Sequence, residues 1–284
     1  MRGRRHVAVA VRRPDGQIAV RTELINPLYL GRLRSLPLLR GVLLLAEMLF
    51  VGVGALLYSA NVALGKDDSK ATPGMLWGLL LPSLALGIGL FFLLPVLLVR
   101  ALDAVLVYSW ASNLVEGAIR LALFLGYLLL ISRARDVRRV LAYHGAEHKT
   151  IHAHEAGVPL QVAEVQRFRT AHPRCGTSFL LTVMVVSVLA FVFLGTPPLW
   201  LRLLSRVLLI PVIAGASYEL LRLAAAAEGH RLLEWLRQPG LLLQALTTRE
   251  PADDQVEVAI RAFTAVVEAD AGAQAAPALG VQQS

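Results

Sequence analysis

Met75 to Val99 reads MLWGLLLPSLALGIGLFFLLPVLLV, 25 residues without a single charge. At about 1.5 Å per residue a helix of this length exceeds the ~30 Å hydrocarbon core of a bilayer. Pro82, Gly87, Gly89 and Pro95 punctuate the run without introducing polarity. This stretch decides the fold class: a polytopic, mainly α membrane protein. Leu114–Ser132, Ser178–Leu194 and Val207–Ala227 extend the pattern, the first opening on Glu116 and Arg120, the last carrying Glu219 and Arg222. The charged fraction of 17% lies below the roughly 25% of soluble domains and agrees with that reading.

Residues 37–64 are also apolar but enclose Arg40 and Glu47. Charges inside a bilayer are costly, so this segment is expected to lie as an amphipathic or interfacial helix. Charge placement asks for the same assignment. Residues 133–177 hold eight Lys/Arg and the first 40 residues nine, so both are expected on the cytoplasmic side. Three crossings between them would separate them. Four spans, two in 75–132 and two in 178–227, keep them together, with 100–113 and 195–206 as outward connections. Five spans, with the histidine-rich segment outside, are the alternative.

The net charge of +8 fits flanks facing anionic lipid. No nucleic-acid-binding motif accompanies it, so nucleic acid is not an expected partner. One cysteine, Cys175, excludes an intrachain disulfide. No apolar signal core follows the basic start Met1-Arg2-Gly3-Arg4-Arg5. Residues 1–36 read as a basic β-hairpin, turning at Arg13-Pro14-Asp15-Gly16. Residues 228–268 are expected as a cytoplasmic segment: a helical stretch from His230 to Leu236, a turn at Pro239-Gly240 and a helix over 255–268 capped by Asp253 or Asp254. Glycine, alanine and glutamine dominate 269–284, expected to be disordered.

The chemistry concentrates in 133–177, where five of the seven histidines fall between His144 and His172. A helix from Val137 to Ala156, capped by Asp136 and stopped by Gly157, places His144, His148, His152 and Glu155 within about an 80° arc. Glu147 lies about 60° to the other side of His144. Imidazoles four apart on a helix can share one ion, and a nearby carboxylate can ligate it or activate water. His144-x-x-Glu147-His148 matches the inverted zinc-peptidase signature, but those enzymes need a far larger domain. His172-Pro173-Arg174-Cys175 adds a second pair from a turn, since proline takes His172 out of helical geometry. His144, His148, His172 and Cys175 are therefore the expected metal ligands. Glu147 and Glu155 are the candidate catalytic carboxylates, with Glu155 a substitute fourth ligand. Zinc suits this donor set best, iron next. Glu219 is expected to pair with Arg222 or Arg120, and Glu47 with Arg40.

Tyr143-His144-Gly145-Ala146-Glu147-His148-Lys149, His172-Pro173-Arg174-Cys175-Gly176-Thr177-Ser178-Phe179, Pro239-Gly240-Leu241 and Leu246-Thr247-Thr248-Arg249-Glu250-Pro251 resemble the bacterial YqhQ family. Asp254-Gln255-Val256-Glu257-Val258-Ala259-Ile260 and Pro37-Leu38-Leu39-Arg40-Gly41 extend the likeness over nearly the whole chain. The resemblance implies a bacterial inner-membrane protein labelled a predicted metal-dependent enzyme. His144, Glu147, His148, Glu155, His172 and Cys175 match the family pattern. Its members usually open on a Gly-Gly-Gln-Ala-Val-like stretch, for which Met1-Arg2-Gly3 stands here.

Two functions compete. One is a hydrolase-like metal enzyme at the cytoplasmic membrane face, acting on an amphiphilic substrate or a membrane-protein segment. The other is a non-enzymatic scaffold or transporter-associated protein with a structural metal. Three protein ligands and an open position favour the first, four ligands the second. Paired histidines binding haem or a redox metal are a third possibility, and would give visible absorbance.

Overall fold

Turn chemistry at residues 13–16 produces the expected hairpin. The computed structural model describes residues 1–31, 35–65, 72–102, 106–173, 175–226 and 231–275. Strand β1 (His6–Arg12) runs antiparallel to β2 (Ile18–Leu24), with His6 opposite Leu24 and Arg12 opposite Ile18. The Gln17 amide donates to Asp15 Oδ1 at 2.9 Å and tightens the turn.

Helix α1 (Leu39–Ala63) follows. Next come α2 (Pro73–Ile88), a π-helical turn (Gly89–Leu93) and α3 (Leu94–Arg100), together one interrupted rod. Pro95 has no N–H, so the Phe91 carbonyl lacks its helical donor. Arg120 of α4 (Ser109–Ile131) supplies one, its Nε donating to that carbonyl at 2.8 Å. Leu39–Ala63, Trp77–Arg100 and Ser109–Ile131 are long and apolar enough to cross a membrane. A fourth span results if α8 (Leu199–Leu208) and α9 (Ile210–Ala226), bent by 44°, count as one. Helix α7 (Thr177–Val192) is apolar but only 16 residues long.

Several expectations are corrected here. Leu39–Ala63 meets the length and composition of a span as well as the expected interfacial helix, and its two charges find other partners than expected: Glu47 binds Arg2 (2.7 Å), and Arg40 binds Glu219 (Nε to Oε1, 2.6 Å). The expected partners Arg40 for Glu47, and Arg222 or Arg120 for Glu219, are therefore replaced. Residues 195–206 are largely helix. Within them Arg202 and Arg206 turn inward onto Glu116, at 3.0 and 2.8 Å, while Arg120 reaches the same carboxylate at 2.6 Å. All four side chains are buried.

A second body packs beside these helices. The hairpin, α5 (Arg135–Glu155), α6 (Val162–Val165) and α11 (Asp253–Ala275) share it, α5, α6 and α11 around a core of Ala146, Ala153, Val165, Val256 and Ala259. Asp136 sits inside the first turn of α5 rather than capping it, and the helix stops before Gly157 at φ +68°. Asp253 and Asp254 likewise occupy the first turn of α11. That helix runs on to Ala275, through part of the expected disordered tail, because Asp270 accepts the Arg4 and Arg5 amides and lies 2.7 Å from His6 Nδ1. Residues 276–284, His230 and Arg174 lie outside the described residues. Helix α1 lies along this body: Tyr58 and Val62 pack on Ala19, Val9 and Val11 of the hairpin. Helix α10 (Arg231–Thr247) passes straight through Pro239-Gly240, where a turn was expected. Gly240 permits it, since a Cβ there would sit 2.6 Å from Ser178 Oγ.

Candidate metal centre

Helix α5 has two opposed faces. Taking about 100° per residue from His144, Ala142, Ala146 and Ala153 cluster near 180° and face the buried core. His144, His148, Glu155 and His152 fall at about 0°, 40°, 20° and 80° and face the other way. Gly145 sets the depth at which the helix sits. A Cβ on it would meet the Arg249 carbonyl at 2.1 Å, so only glycine lets α5 press on the segment after α10. The contact is completed by the Arg249 amide donating to the Leu141 carbonyl at 3.0 Å.

That closeness sets the first imidazole. His144 Nδ1 lies 2.7 Å from the Thr247 carbonyl and must donate to it, which turns Nε2 toward Cys175 Sγ at 3.2 Å. His148 repeats the pattern, with Nδ1 2.5 Å from the Thr170 carbonyl. Both rings are held in one tautomer by backbone oxygens, the way second-shell groups hold metal-ligating histidines. His144, His148 and Cys175 each bring a donor atom to within 4.8 Å of the other two.

Thr170, Ala171 and His172 meet α5 at His148, His152 and Glu155 in turn, whereas Cys175 lies back at His144, so the two ligands His172 and Cys175 land at different heights. Cys175 meets His144 and His148. His172 meets Glu155 (Nε2 to Oε2, 3.3 Å) and His152, forming a second trio within 4.8 Å. Neighbouring rings link the trios, with the centroids of His148 and His172 5.7 Å apart, and within the second trio those of His152 and His172 are 4.5 Å apart. The expected set of His144, His148, His172 and Cys175 around one ion is thus divided. Gln244 of α10 clamps the turn, accepting the His172 amide at 2.8 Å and donating to its carbonyl at 2.9 Å.

Burial pushes the Cys175 thiol up. Hydrogen bonds from His144, His148 and Thr177 outweigh it and bring the thiol down to about 5. Burial likewise opposes charge on His144, but the bond to Cys175 raises its pKa above the ordinary value. Burial lowers His172 below its ordinary value against the pull of Glu155 and keeps it neutral, the ligand form.

Glu147 is partly exposed, 3.3 Å from the Met1 amine, and lines a cleft of about 360 Å³ with His144, His148, Glu155, His172 and Cys175. A larger cavity of about 510 Å³ adjoins it, sharing Met1 and Glu147 and walled by Gly52, Ala55, Leu56 and Ser59 of α1. His154 turns away and packs on Phe263. Gln244, Thr247 and Thr170 escaped sequence reasoning. Only Gln244 left a mark, as the one polar residue in the apolar run Leu241–Leu246.

Fold and cleft together define a mainly α protein with several membrane-length helices and a second body carrying a histidine-cysteine cluster. The chain belongs to the YqhQ family. Residues 36–269 match the family described as "Protein of unknown function (DUF1385)". The chain is also 35% identical to the "Uncharacterized protein YqhQ" of Bacillus subtilis (strain 168), over 95% of this chain and 89% of that protein. No solved structure matches.

Proposed function

We propose that this protein is a metal-dependent hydrolase of the bacterial inner membrane, with His144, His148 and Cys175 holding a zinc or iron ion at the cytoplasmic face. The observation that carries the reading is the pair of imidazoles whose Nδ1 atoms are committed to backbone carbonyls while their other nitrogens converge with a low-pKa thiol. Three protein donors suit an ion with one open position, the catalytic rather than the structural arrangement. When bound, the ion supplies a Lewis acid that brings water ionisation toward neutral pH.

The chain's own groups do the rest. Glu147 faces the same cleft and takes the proton from the attacking water. Thr247, Thr170 and Gln244 fix the donors so that little reorganisation is needed. The apolar cavity beside the cleft supports an amphiphilic substrate, with its polar end at the histidines and its chain against α1. The hairpin and α5 both pack on α11, and α1 lies along the hairpin, which supports two crossings between them, Trp77–Arg100 and Ser109–Ile131, and hence a common cytoplasmic side.

A second reading has its own observation. Cys175, His144 and the Thr247 carbonyl line up as nucleophile, base and orienting group, with the Thr177 amide 3.4 Å from Sγ. Chelation and His148 substitution separate the two. Hydrolysis of a panel of lipid and chromogenic esters is expected to fall at least tenfold with a chelator or with His148→Ala. Hydrolysis that resists both but is abolished by iodoacetamide would establish the cysteine nucleophile instead.

A further inference from the structure

The cleft contains more ligand chemistry than one ion uses. His144, His148, His152 and Glu155 recur at intervals of four, four and three along α5, a stripe that climbs one face of the helix. His172 and Cys175, three apart, run the opposite way across it. Each therefore serves a different end of the stripe, and the donors sort into two trios rather than one crowded set.

We infer that His152, Glu155 and His172 form a second divalent-cation site, so that the cleft holds a pair of ions. The inference deepens the function proposed above and rests on it for the neighbouring ion. The second trio has two nitrogen donors and one carboxylate oxygen, a hard set without sulfur that suits zinc, manganese or iron. His152 is oriented as the first site's rings are: its Nε2 donates to the Ala171 carbonyl at 2.9 Å, which leaves Nδ1 for the ion. His172 is fixed from behind by the Gln244 clamp on its backbone. Bonds of about 2.0–2.3 Å imply donor separations of about 3.3–3.8 Å around a tetrahedral ion. The trio's 4.8 Å limit closes to that by small side-chain rotations.

Adjacency gives the pair its meaning. His148 of the first trio and His172 of the second are ring neighbours at 5.7 Å, and Glu155 and His172 line the same 360 Å³ cleft as the first trio. Paired ions about 3.5–4 Å apart clamp the attacking and leaving oxygens of a displacement. The substrate class this favours is a phosphate ester with an apolar tail. Glu155 then acts as a ligand, and Glu147 is left as the carboxylate for proton transfer.

The test is ion stoichiometry in untagged, full-length protein purified in detergent, loaded with Zn²⁺ or Co²⁺ and freed of excess. Wild type is expected to bind two ions per chain. His152→Ala and Glu155→Gln, neither of them fully buried and chosen to spare the fold, are expected to bind one. That ion keeps the near-ultraviolet thiolate-to-cobalt band. Cys175→Ala is expected to bind one ion without the band. Gel filtration of each variant confirms that it is folded. One ion in wild type, with its thiolate band intact in His152→Ala, overturns the second site and leaves the first standing. No ion in folded wild type overturns both.

Discussion

Among the described residues, the polar cluster around Glu116 and the one along α5 are built on opposite plans. Around Glu116 one carboxylate is enclosed by Arg120, Arg202 and Arg206, and Asn113, Ser112, Ser187 and the Phe91 carbonyl take further donors. Arg120 and Arg206 also lie over the Phe191 ring, at 4.8 and 4.3 Å. That cluster is closed: its donors are spent on the protein. Around α5 the reverse holds. Backbone carbonyls take one nitrogen of His144, His148 and His152, the other nitrogen of His144 faces the Cys175 thiol, and His144 and His148 line an open cleft. A satisfied network fastens helices together, whereas donors held in readiness around a cavity are a site.

The closed cluster should break hardest. Glu116→Gln leaves three guanidiniums buried with no carboxylate. A loss of about 3–5 kcal/mol is expected, enough to prevent accumulation of folded protein. Gel filtration and thermal unfolding in detergent measure it; a near-normal unfolding midpoint would show that solvent reaches the cluster. Gly145→Ala should come next. The new Cβ collides with the Arg249 carbonyl backbone, so a loss of about 1–3 kcal/mol is expected, with weakened metal retention through displacement of His144.

The open cluster should show itself through titration. In metal-free protein the Cys175 thiol loses its proton near pH 5, so iodoacetamide alkylation should be slow below that pH and reach its plateau by about pH 6–7. His144→Ala removes the leading stabilising bond and should move the midpoint upward, toward that of an ordinary thiol. An unshifted midpoint would place the cause elsewhere. His154→Ala should do least, within about 0.5 kcal/mol of wild type and with unchanged metal content, because the exposed ring packs on Phe263 and does not itself line the cleft.

The contrast also explains what the sequence made legible. Helical period alone put His144, His148, His152 and Glu155 on one face, because local geometry determines that face. The separation of His172 from Cys175 was hidden, since it depends on the direction in which the turn crosses α5. The arginines of 195–206 were misplaced for a related reason. Their partner Glu116 is 86 and 90 residues away, and no local pattern distinguishes a loop arginine from one folded inward. Pro239-Gly240 read as a turn by composition, yet Gly240 serves the packing of α10 on Ser178.

The metal content of untagged protein, purified without added ions and then titrated with Zn²⁺, tests the central claim most directly. At least one ion per chain is expected in wild type, and loss of the ion at the first site in His144→Ala and in Cys175→Ala. Folded wild-type protein that contains no metal and takes up none on titration would contradict it.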